Sequence, residues 1–264
     1  MTDFSLLPSA IRSQVEGLAY TVNETGMSGS RVLIFPEAVL KIGRISPLTE
    51  GMVRVMRFLE GRLPAPRVLA FEKDRDTEYL LMTRVPGKMA CDPVYLDQPE
   101  LLLSLLAEAV QMLWQVDVAA CPVSRSVEGE LAHARYSLEN GLVDFSRCEP
   151  ETFGPGGFES PEKLLRWLED NKPPLEAAFS HGDCCLPNIL LDGNRVSGFI
   201  DLGDAGIADK WRDLALCYRS LRHNTDGHYG HAVSGFKPER LFDFLGVRPD
   251  WEKLRYYTLL DEFF

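Results

Sequence analysis

The segment from His181 to Asn188, followed by Asp201, holds the residues of this chain whose types and spacing best suit chemistry. It reads H-x-D-x-x-x-x-N, then an apolar strand, then Asp. Phosphoryl transfer needs one carboxylate to orient and deprotonate an attacking hydroxyl. It also needs a second carboxylate and an amide oxygen to hold Mg²⁺ on the nucleotide phosphates. The pattern therefore predicts Asp183 as the catalytic carboxylate, with Asn188 and Asp201 as Mg²⁺ ligands. We expect His181 to shape the loop.

Two features nearer the N-terminus suit phosphate binding. Gly26, Ser28 and Gly29 form a turn between two predicted strands, where small residues let backbone N–H groups approach phosphates. Taken alone, the turn better suits a hairpin without a ligand. Lys41 follows in an apolar strand, placed to reach the α- and β-phosphates, although an edge-strand lysine facing water would have the same pattern. The order of turn, strand, lysine, helix and catalytic loop favours the functional interpretation of both.

The sequence does not decide which carboxylate, if any, pairs with Lys41. A helix is predicted over residues 46–60, and Glu50 near its start is the available carboxylate. Spacing along the helix places Met52 at the position where a carboxylate facing Lys41 is expected. Glu50 is two residues away, which rotates its side chain by about 200° around the helix axis. Glu50 therefore binds Lys41 only if the helix is re-registered. The alternative is a helix N-terminal charge stabilised by the helix dipole.

The first third of the chain has short strand-like patterns and the remainder is mostly helical, with the change near residues 85–87. This order predicts an α+β, two-lobed protein-kinase-like fold. A small antiparallel-sheet N-lobe would span 1–84, a hinge 85–88, and a larger helical catalytic and substrate-binding C-lobe 89–264. Helices are predicted over the following ranges: 99–116, 127–141, 161–170, 209–222, 237–245 and 250–263.

The bulk composition excludes several classes of protein. The chain has 264 residues, 45% of them hydrophobic, and a net charge of −11. Clustered basic residues are missing, so nucleic acid is not an expected partner, whereas cationic small molecules are. Solubility alone would also account for the acidic balance. No membrane-spanning run or secretory signal is found, and the six scattered cysteines predict reduced thiols in a cytoplasmic protein. We expect a monomer or weak dimer.

The C-terminal stretch Leu259-Leu260-Asp261-Glu262-Phe263-Phe264 is apolar to its last residue, which predicts a docked terminus. Two acidic side chains and the α-carboxylate would then lie together and could bind polyamines by charge-assisted hydrogen bonds. The alternative is a terminal helix with solvated acids. His223, His228 and His231 are expected on a surface loop, and their spacing matches no metal site.

These motifs together resemble the aminoglycoside 3′-phosphotransferases, the kanamycin and neomycin kinases, over nearly the whole chain. The most specific segments are Ser180-His181-Gly182-Asp183, Ser197-Gly198-Phe199-Ile200-Asp201-Leu202-Gly203, Gly206-Ile207-Ala208-Asp209-Lys210-Trp211 and the C-terminal hexapeptide. The resemblance implies transfer of the γ-phosphate of ATP or GTP to the 3′-hydroxyl of an aminoglycoside antibiotic, with two Mg²⁺ ions, and hence antibiotic resistance.

The resemblance also implies a role for each matching residue. Asp183 would be the base, Asn188 and Asp201 the metal ligands, and Lys41 the phosphate-binding lysine. The remaining implied roles are nucleotide positioning by Ser28, purine binding by the backbone of Thr83 and Val85, and aminoglycoside binding by Arg219, Asp261, Glu262 and the carboxylate of Phe264.

This chain departs from the family pattern around the acceptor. Asp204 stands where the family commonly has Arg, and residues that replace expected acids are Leu186, His223 and Asn224. Trp114 replaces a family His, and Glu149 and Glu151 are displaced from the expected substrate-binding positions. The departures leave two alternatives open: a kinase of the same fold for another hydroxylated or amino-bearing metabolite, and a nucleotide-binding pseudo-enzyme.

Overall fold

The computed structural model describes residues 4–23 and 30–264. Within them, the N-terminal part forms one antiparallel sheet of five strands in the order β1-β2-β3-β5-β4. Its strands are β1 (Thr21–Asn23), β2 (Arg31–Ile34), β3 (Ala38–Arg44), β4 (Val68–Asp74) and β5 (Thr77–Thr83). Lys41 pairs with Leu80 of β5 on one side and with Val32 of β2 on the other, so it lies in an interior strand. The register of the sheet therefore fixes its position.

Helix α2 (Pro47–Leu59) covers one face of this sheet. It begins where the Ser46 side chain accepts a hydrogen bond from the Leu48 backbone N–H, and Pro47 occupies the first turn, where no N–H is needed. The predicted apolar face is confirmed, since its members are all buried: Met52, Val55, Met56 and Leu59. Helix α1 (Ser9–Val15) buries Ile11 and Val15 in a second hydrophobic cluster, which also contains Leu33, Leu40 and Leu81 of the sheet.

The C-terminal part is mainly helical, as predicted. Its helices are α3 (Pro93–Leu96), α4 (Pro99–Trp114), α5 (Val127–Glu139), α6 (Pro161–Asp170), α7 (Lys210–Thr225), α8 (Arg240–Leu245) and α9 (Trp251–Asp261). Helix α4 is apolar on most of its circumference and is buried among α7, α8 and the strand that leads to the catalytic loop. Helices α7 and α9 pack closely on each other and bring the two ends of the candidate site together.

Two small sheets hold the catalytic segment. One pairs β7 (Ala177–Ser180) with β10 (Gly206–Asp209), and the other contains β6 (Lys88–Met89), β8 (Ile189–Asp192) and β9 (Arg195–Phe199). The turn residues Asp192-Gly193-Asn194 between two apolar runs predict a hairpin, and β8 and β9 form it. The other strands are two to four residues long, too short to show an alternating pattern. They nevertheless fix both ends of the loop between β7 and β8.

The two parts of the chain meet along the segment between α2 and β4. The Phe199 backbone N–H donates to the Pro64 carbonyl at 3.0 Å. The α+β class is confirmed by these elements. The exact lobe boundary at residue 84 and the hinge over 85–88 stay predictions, and β6 already begins at Lys88.

One hydrophobic cluster joins α2 to the helices of the C-terminal part, with Leu106, Val110 and Leu214 at its centre, each fully buried. The helices thus hide their apolar surface against one another. Among the helices of residues 4–23 and 30–264, none combines the length and the hydrophobicity that a membrane crossing requires.

The junction at Pro64 yields a stability prediction. A Cβ on Gly198, which has φ +155°, would lie 2.6 Å from the Pro64 carbonyl oxygen, so Gly198→Ala must displace backbone. We expect it to lower the free energy of unfolding by about 2–4 kcal/mol. Gly193 has φ +59° with no atom near its Cβ position, so Gly193→Ala should cost only about 1 kcal/mol. Urea denaturation measures both, and equal losses would contradict the proposed close contact.

Candidate active site

The loop between β7 and β8 presents Asp183 on a turn that its own residues stabilise. Leu186–Asn188 form a 3₁₀ turn with Pro187 inside it, which sets the backbone direction. The Asn188 Nδ2 then donates to Asp183 Oδ2 at 2.8 Å and to the Asp183 carbonyl at 2.9 Å. Asp183 itself is half-buried. The amide of Asn188 therefore orients the predicted catalytic group.

His181 is fully buried and has the structural role that sequence analysis gave it. Its Nδ1 accepts a hydrogen bond from the Asp183 backbone N–H at 3.3 Å. Because a backbone N–H can only donate, the proton of a neutral ring lies on Nε2, which is 2.8 Å from the Ile200 carbonyl. The imidazole thus ties the catalytic loop to the residue that precedes Asp201.

Asp213, in the first turn of α7, anchors the start of the same loop and was missed by sequence analysis. Its buried carboxylate accepts hydrogen bonds from Ser180 Oγ at 2.9 Å, His181 N at 2.8 Å and Gly182 N at 3.0 Å. Burial raises the pKa of the Asp213 carboxyl, and these donors oppose the shift. The one available signal was an acidic residue shortly after the Asp209-Lys210-Trp211 segment, which sequence alone cannot link to the loop.

Asp201 lies next to this assembly with φ +60°, a left-handed conformation that is costly for a residue with a side chain. The Ile200 N–H donates to the Asn188 carbonyl at 3.0 Å, so the two predicted metal ligands are neighbours. Lys41 Nζ lies 3.0 Å from Asp201 Oδ1. The predicted phosphate-binding lysine and a predicted metal ligand are therefore brought together across the two parts of the chain.

The donor atoms at this position fit Mg²⁺. The nitrogen of the Asn188 amide is bound to Asp183, so its oxygen faces away, and the Asp201 carboxylate is largely exposed. Both are hard oxygen ligands. Within residues 4–23 and 30–264, no group of three or more His, Cys, Asp or Glu side chains could hold a metal alone. This composition suits an ion that takes few protein ligands and completes its shell with phosphate oxygens and water.

The pairing of Glu50 with Lys41 is wrong in this structure. Glu50 forms an ion pair with Lys73 of β4, and this contact lowers the pKa of Glu50. Helix α2 presents Met52 to the cavity that contains Lys41, in the register that spacing from Leu59 indicated. Glu50 lies near the start of α2, outside that cavity, so it reaches the sheet's outer strand and leaves Lys41 to Asp201.

The cavity beside Lys41 has a volume of about 140 Å³. Its lining includes Ser30, Gly43 and Asp201. Ser28, predicted to position the nucleotide, lies outside the described residues. The Thr83 N–H donates to the Arg67 carbonyl at 2.9 Å, and no protein group in the described ranges accepts from the Val85 N–H. Of the predicted purine contacts, the backbone donor of Val85 is therefore available.

A second cavity, of about 280 Å³, lies between the C-terminus, α7 and the segment before α6; we refer to it as the acidic cavity. Its charged lining comprises Asp144, Glu149, Arg219, Asp261 and Glu262. Asp261 is ion-paired with Arg219. Burial raises the pKa of Asp261, Arg219 opposes that shift, and the charge of Asp183 adds to it. The candidate base and this cavity are thus close enough for their charges to interact.

Glu262 and Phe264 also line the acidic cavity. Glu262 Oε1 accepts hydrogen bonds from Thr152 Oγ1 at 2.8 Å and from the Glu149 N–H at 3.0 Å, which docks the terminus against the preceding loop. The Phe264 ring stacks on His133 with a centroid distance of 5.2 Å. The four residues predicted from the resemblance to bind the acceptor therefore line one cavity.

Two expectations about neighbouring residues are wrong. Glu149, regarded as displaced, lies on the acidic cavity because the loop before α6 folds back onto α7. His223 is only 7% exposed, although it was expected on a surface loop. Helix α7 extends to Thr225, three residues beyond the predicted end, and so carries His223 into the interior.

Comparison with known proteins agrees with this geometry. Residues 9–257 match the model of the phosphotransferase enzyme family. An aminoglycoside 3′-phosphotransferase of Enterococcus faecalis is 41% identical over 212 residues, 80% of this chain and 76% of that protein. One from Niallia circulans is 35% identical over 257 residues, 92% of each.

The fold agrees as well. The crystal structure of an aminoglycoside 3′-phosphotransferase of type VIII superposes with a TM-score of 0.80 at 30% identity and covers 97% of both chains. The two-lobed kinase-like architecture is thereby confirmed. Sequence and structure together confirm the resemblance to the aminoglycoside 3′-phosphotransferases, and the chain belongs to the phosphotransferase enzyme family that includes them.

Proposed function

We propose that this protein transfers the γ-phosphate of a nucleoside triphosphate to the 3′-hydroxyl of an aminoglycoside. One observation carries the proposal: Asn188 links Asp183 to the residue before Asp201, the partner of Lys41, and the charge of Asp183 also acts on Asp261 in the acidic cavity. A phosphoryl donor and a cationic acceptor would therefore meet at one carboxylate. The names of the relatives point to the 3′ position.

The donor side would be held by Lys41, Asn188 and Asp201. In the proposed complex, Lys41 exchanges its contact with Asp201 for the α- and β-phosphates. Asn188 and Asp201 would hold Mg²⁺, which, when bound, neutralises charge on the phosphate oxygens. The Val85 N–H would bind the purine. ATP and GTP both fit this description, and the number of metal ions stays a prediction.

On the acceptor side, Asp183 would accept a hydrogen bond from the attacking hydroxyl and take its proton as the bond to phosphorus forms. Since phosphoryl transfer has a loose transition state, the main contribution of Asp183 is orientation in line with the leaving group. The hydrogen bond that Asn188 donates to this carboxylate, and the one that the buried His181 ring accepts from the Asp183 backbone N–H, restrict Asp183 before the substrates bind. Little reorganisation then accompanies the transfer.

The acidic cavity would bind the ammonium groups of the acceptor. Asp261, Glu262 and the carboxylate of Phe264 would accept charge-assisted hydrogen bonds, while Arg219 keeps Asp261 in place. A larger cavity of about 560 Å³ adjoins it across Glu149 and Arg219. An acceptor of several rings could extend into that space.

A specific observation keeps a second candidate open, a kinase for another hydroxylated or amino-bearing metabolite. Acids of the cavity already have protein partners: Asp261 has Arg219, and Glu149 has Arg222. Fewer carboxylates of this cavity are therefore unpaired, and available to an ammonium group, than the number of its acidic residues suggests. A pseudo-enzyme is disfavoured by the assembled donor site. Cytoplasmic localisation and a monomeric or weakly dimeric state stay predictions of the sequence.

Replacing Asp183 tests the proposed reaction. With Mg²⁺-ATP and kanamycin, neomycin, paromomycin, amikacin and lividomycin as acceptors, Asp183→Ala should lower kcat by about 10²–10⁴, because the orienting base is lost. The KM for nucleotide should change little. A coupled assay of ADP release measures both. A variant with wild-type kcat on its best acceptor would contradict the role of Asp183.

Lys41 and Glu50 provide a matched test of the donor side. Lys41→Ala should lower kcat/KM for the nucleotide by about 10- to 100-fold, the effect of losing a charged hydrogen bond. Glu50→Ala removes only an exposed pair with Lys73 and should change that value by less than about twofold. The same coupled assay, with nucleotide varied, compares them. Similar losses in both variants would show that Glu50 serves Lys41 after all.

A further inference from the structure

His223 and His228 form a stacked pair on one wall of the acidic cavity. Their ring centroids lie 4.3 Å apart with an interplanar angle of 13°, and the Tyr229 ring meets both edge-on. Both histidines line the cavity that also contains Asp261 and Glu262. None of the steps derived above uses this pair.

The Nε2 atom of His223 lies between groups of opposite hydrogen-bonding character. It is 3.1 Å from Glu149 Oε1 and 3.1 Å from Arg222 Nη2. A guanidinium can only donate and a carboxylate can only accept. Nε2 therefore either carries a proton and donates to Glu149, or is bare and accepts from Arg222. The protonation of this one atom decides how strongly Glu149 is engaged by the protein.

We infer that His223 is a positioning residue that sets the affinity of the acidic cavity for cationic acceptors by competing with an acceptor ammonium group for Glu149. This inference rests on the proposed function. Arg222 donates toward Nε2, which favours the neutral tautomer that carries its proton on Nδ1. In that neutral ring Nε2 is bare, and Glu149 keeps one oxygen available to an acceptor while Arg222 holds the other at 2.8 Å. With a protonated ring, Nε2 donates to Glu149 and both carboxylate oxygens are engaged by the protein. The acceptor then loses an anionic partner.

The groups that face His223 determine the pH range. Burial lowers the pKa of His223, Glu149 opposes the shift, and the charges of Arg222 and His228 add to it. The other charged groups that line the same cavity are Asp144, Arg219, Asp261, Glu262 and the terminal carboxylate at Phe264. Because the pKa is lowered, the ring is neutral at and above its ordinary value of about 6.5 and becomes charged only below it. Acceptor binding should therefore weaken as the pH falls below that value.

The test compares wild type with His223→Gln, which keeps a side-chain donor but cannot become charged. The KM and kcat for neomycin are measured at about pH 7.5 and about pH 5.5. The amines of neomycin titrate equally for both proteins, so the readout is the ratio of the two KM values at each pH. We expect the ratio of the wild-type KM to the variant KM to be about fivefold higher at the lower pH, which is the effect of losing one solvent-screened ion pair. A ratio independent of pH overturns the inference.

Glu149→Gln provides an independent version of the test, because it removes the group for which proton and ammonium compete. The ratio of the KM of Glu149→Gln to the KM of His223→Gln should not depend on pH. A ratio that changes with pH would show that His223 acts without Glu149. Thermal unfolding checks that each variant is folded, and calorimetric titration with neomycin replaces kinetics where turnover is low. Failure of the wild type to bind neomycin at either pH overturns the proposed function itself. Binding with a pH-independent ratio overturns only the role of His223.

Discussion

The buried carboxylate of Asp213 is the interaction on which the geometry of the candidate site depends. It accepts three hydrogen bonds from the residues that connect β7 to the catalytic loop, and these satisfy a group that would otherwise be costly to bury. The first turn of α7 is thereby fixed to His181 and Gly182. From there the contacts continue through the His181 ring to Asp183 and Ile200. The candidate base and the candidate metal ligand share this support.

Close backbone contact completes the constraint. Gly182 has φ +86°, and a Cβ there would lie 2.2 Å from the Asp204 carbonyl oxygen, so the catalytic loop and the segment after Asp201 touch without room for a side chain. Lys41 then contacts Asp201 from the opposite part of the chain. Two loops and one strand, far apart in sequence, converge because buried polar groups and a glycine leave them no alternative arrangement.

Local patterns explain what could be predicted from the sequence. Asp183, Asn188, Asp201 and Lys41 were identified because each occupies a fixed distance from a strand or turn, and the face of α2 followed from its helical period. The acids of the C-terminus were identified because adjacent residues on a docked end must share a surface. The assignment of the family rested on the same short segments.

Interactions over long sequence separations explain what could not be predicted. Asp213 binds a loop some 30 residues earlier, and Glu50 pairs with Lys73 on a different element. His223 was assigned to the surface since the end of α7 was placed three residues early. Gly227, with φ +98° directly after the C-cap residue Asp226, was a signal for the true end at Thr225 that the prediction did not use. Glu149 depends on how an irregular loop folds, for which the sequence offers no periodicity.

The position of the transferred phosphate tests the central claim most directly. The product of a reaction with kanamycin and Mg²⁺-ATP can be examined by two-dimensional ¹H–³¹P NMR, in which phosphorus correlates with the proton on the carbon that carries the ester. We predict a correlation with the proton at position 3′. Phosphorus on another carbon, or hydrolysis of ATP without a phosphorylated product, would contradict the account.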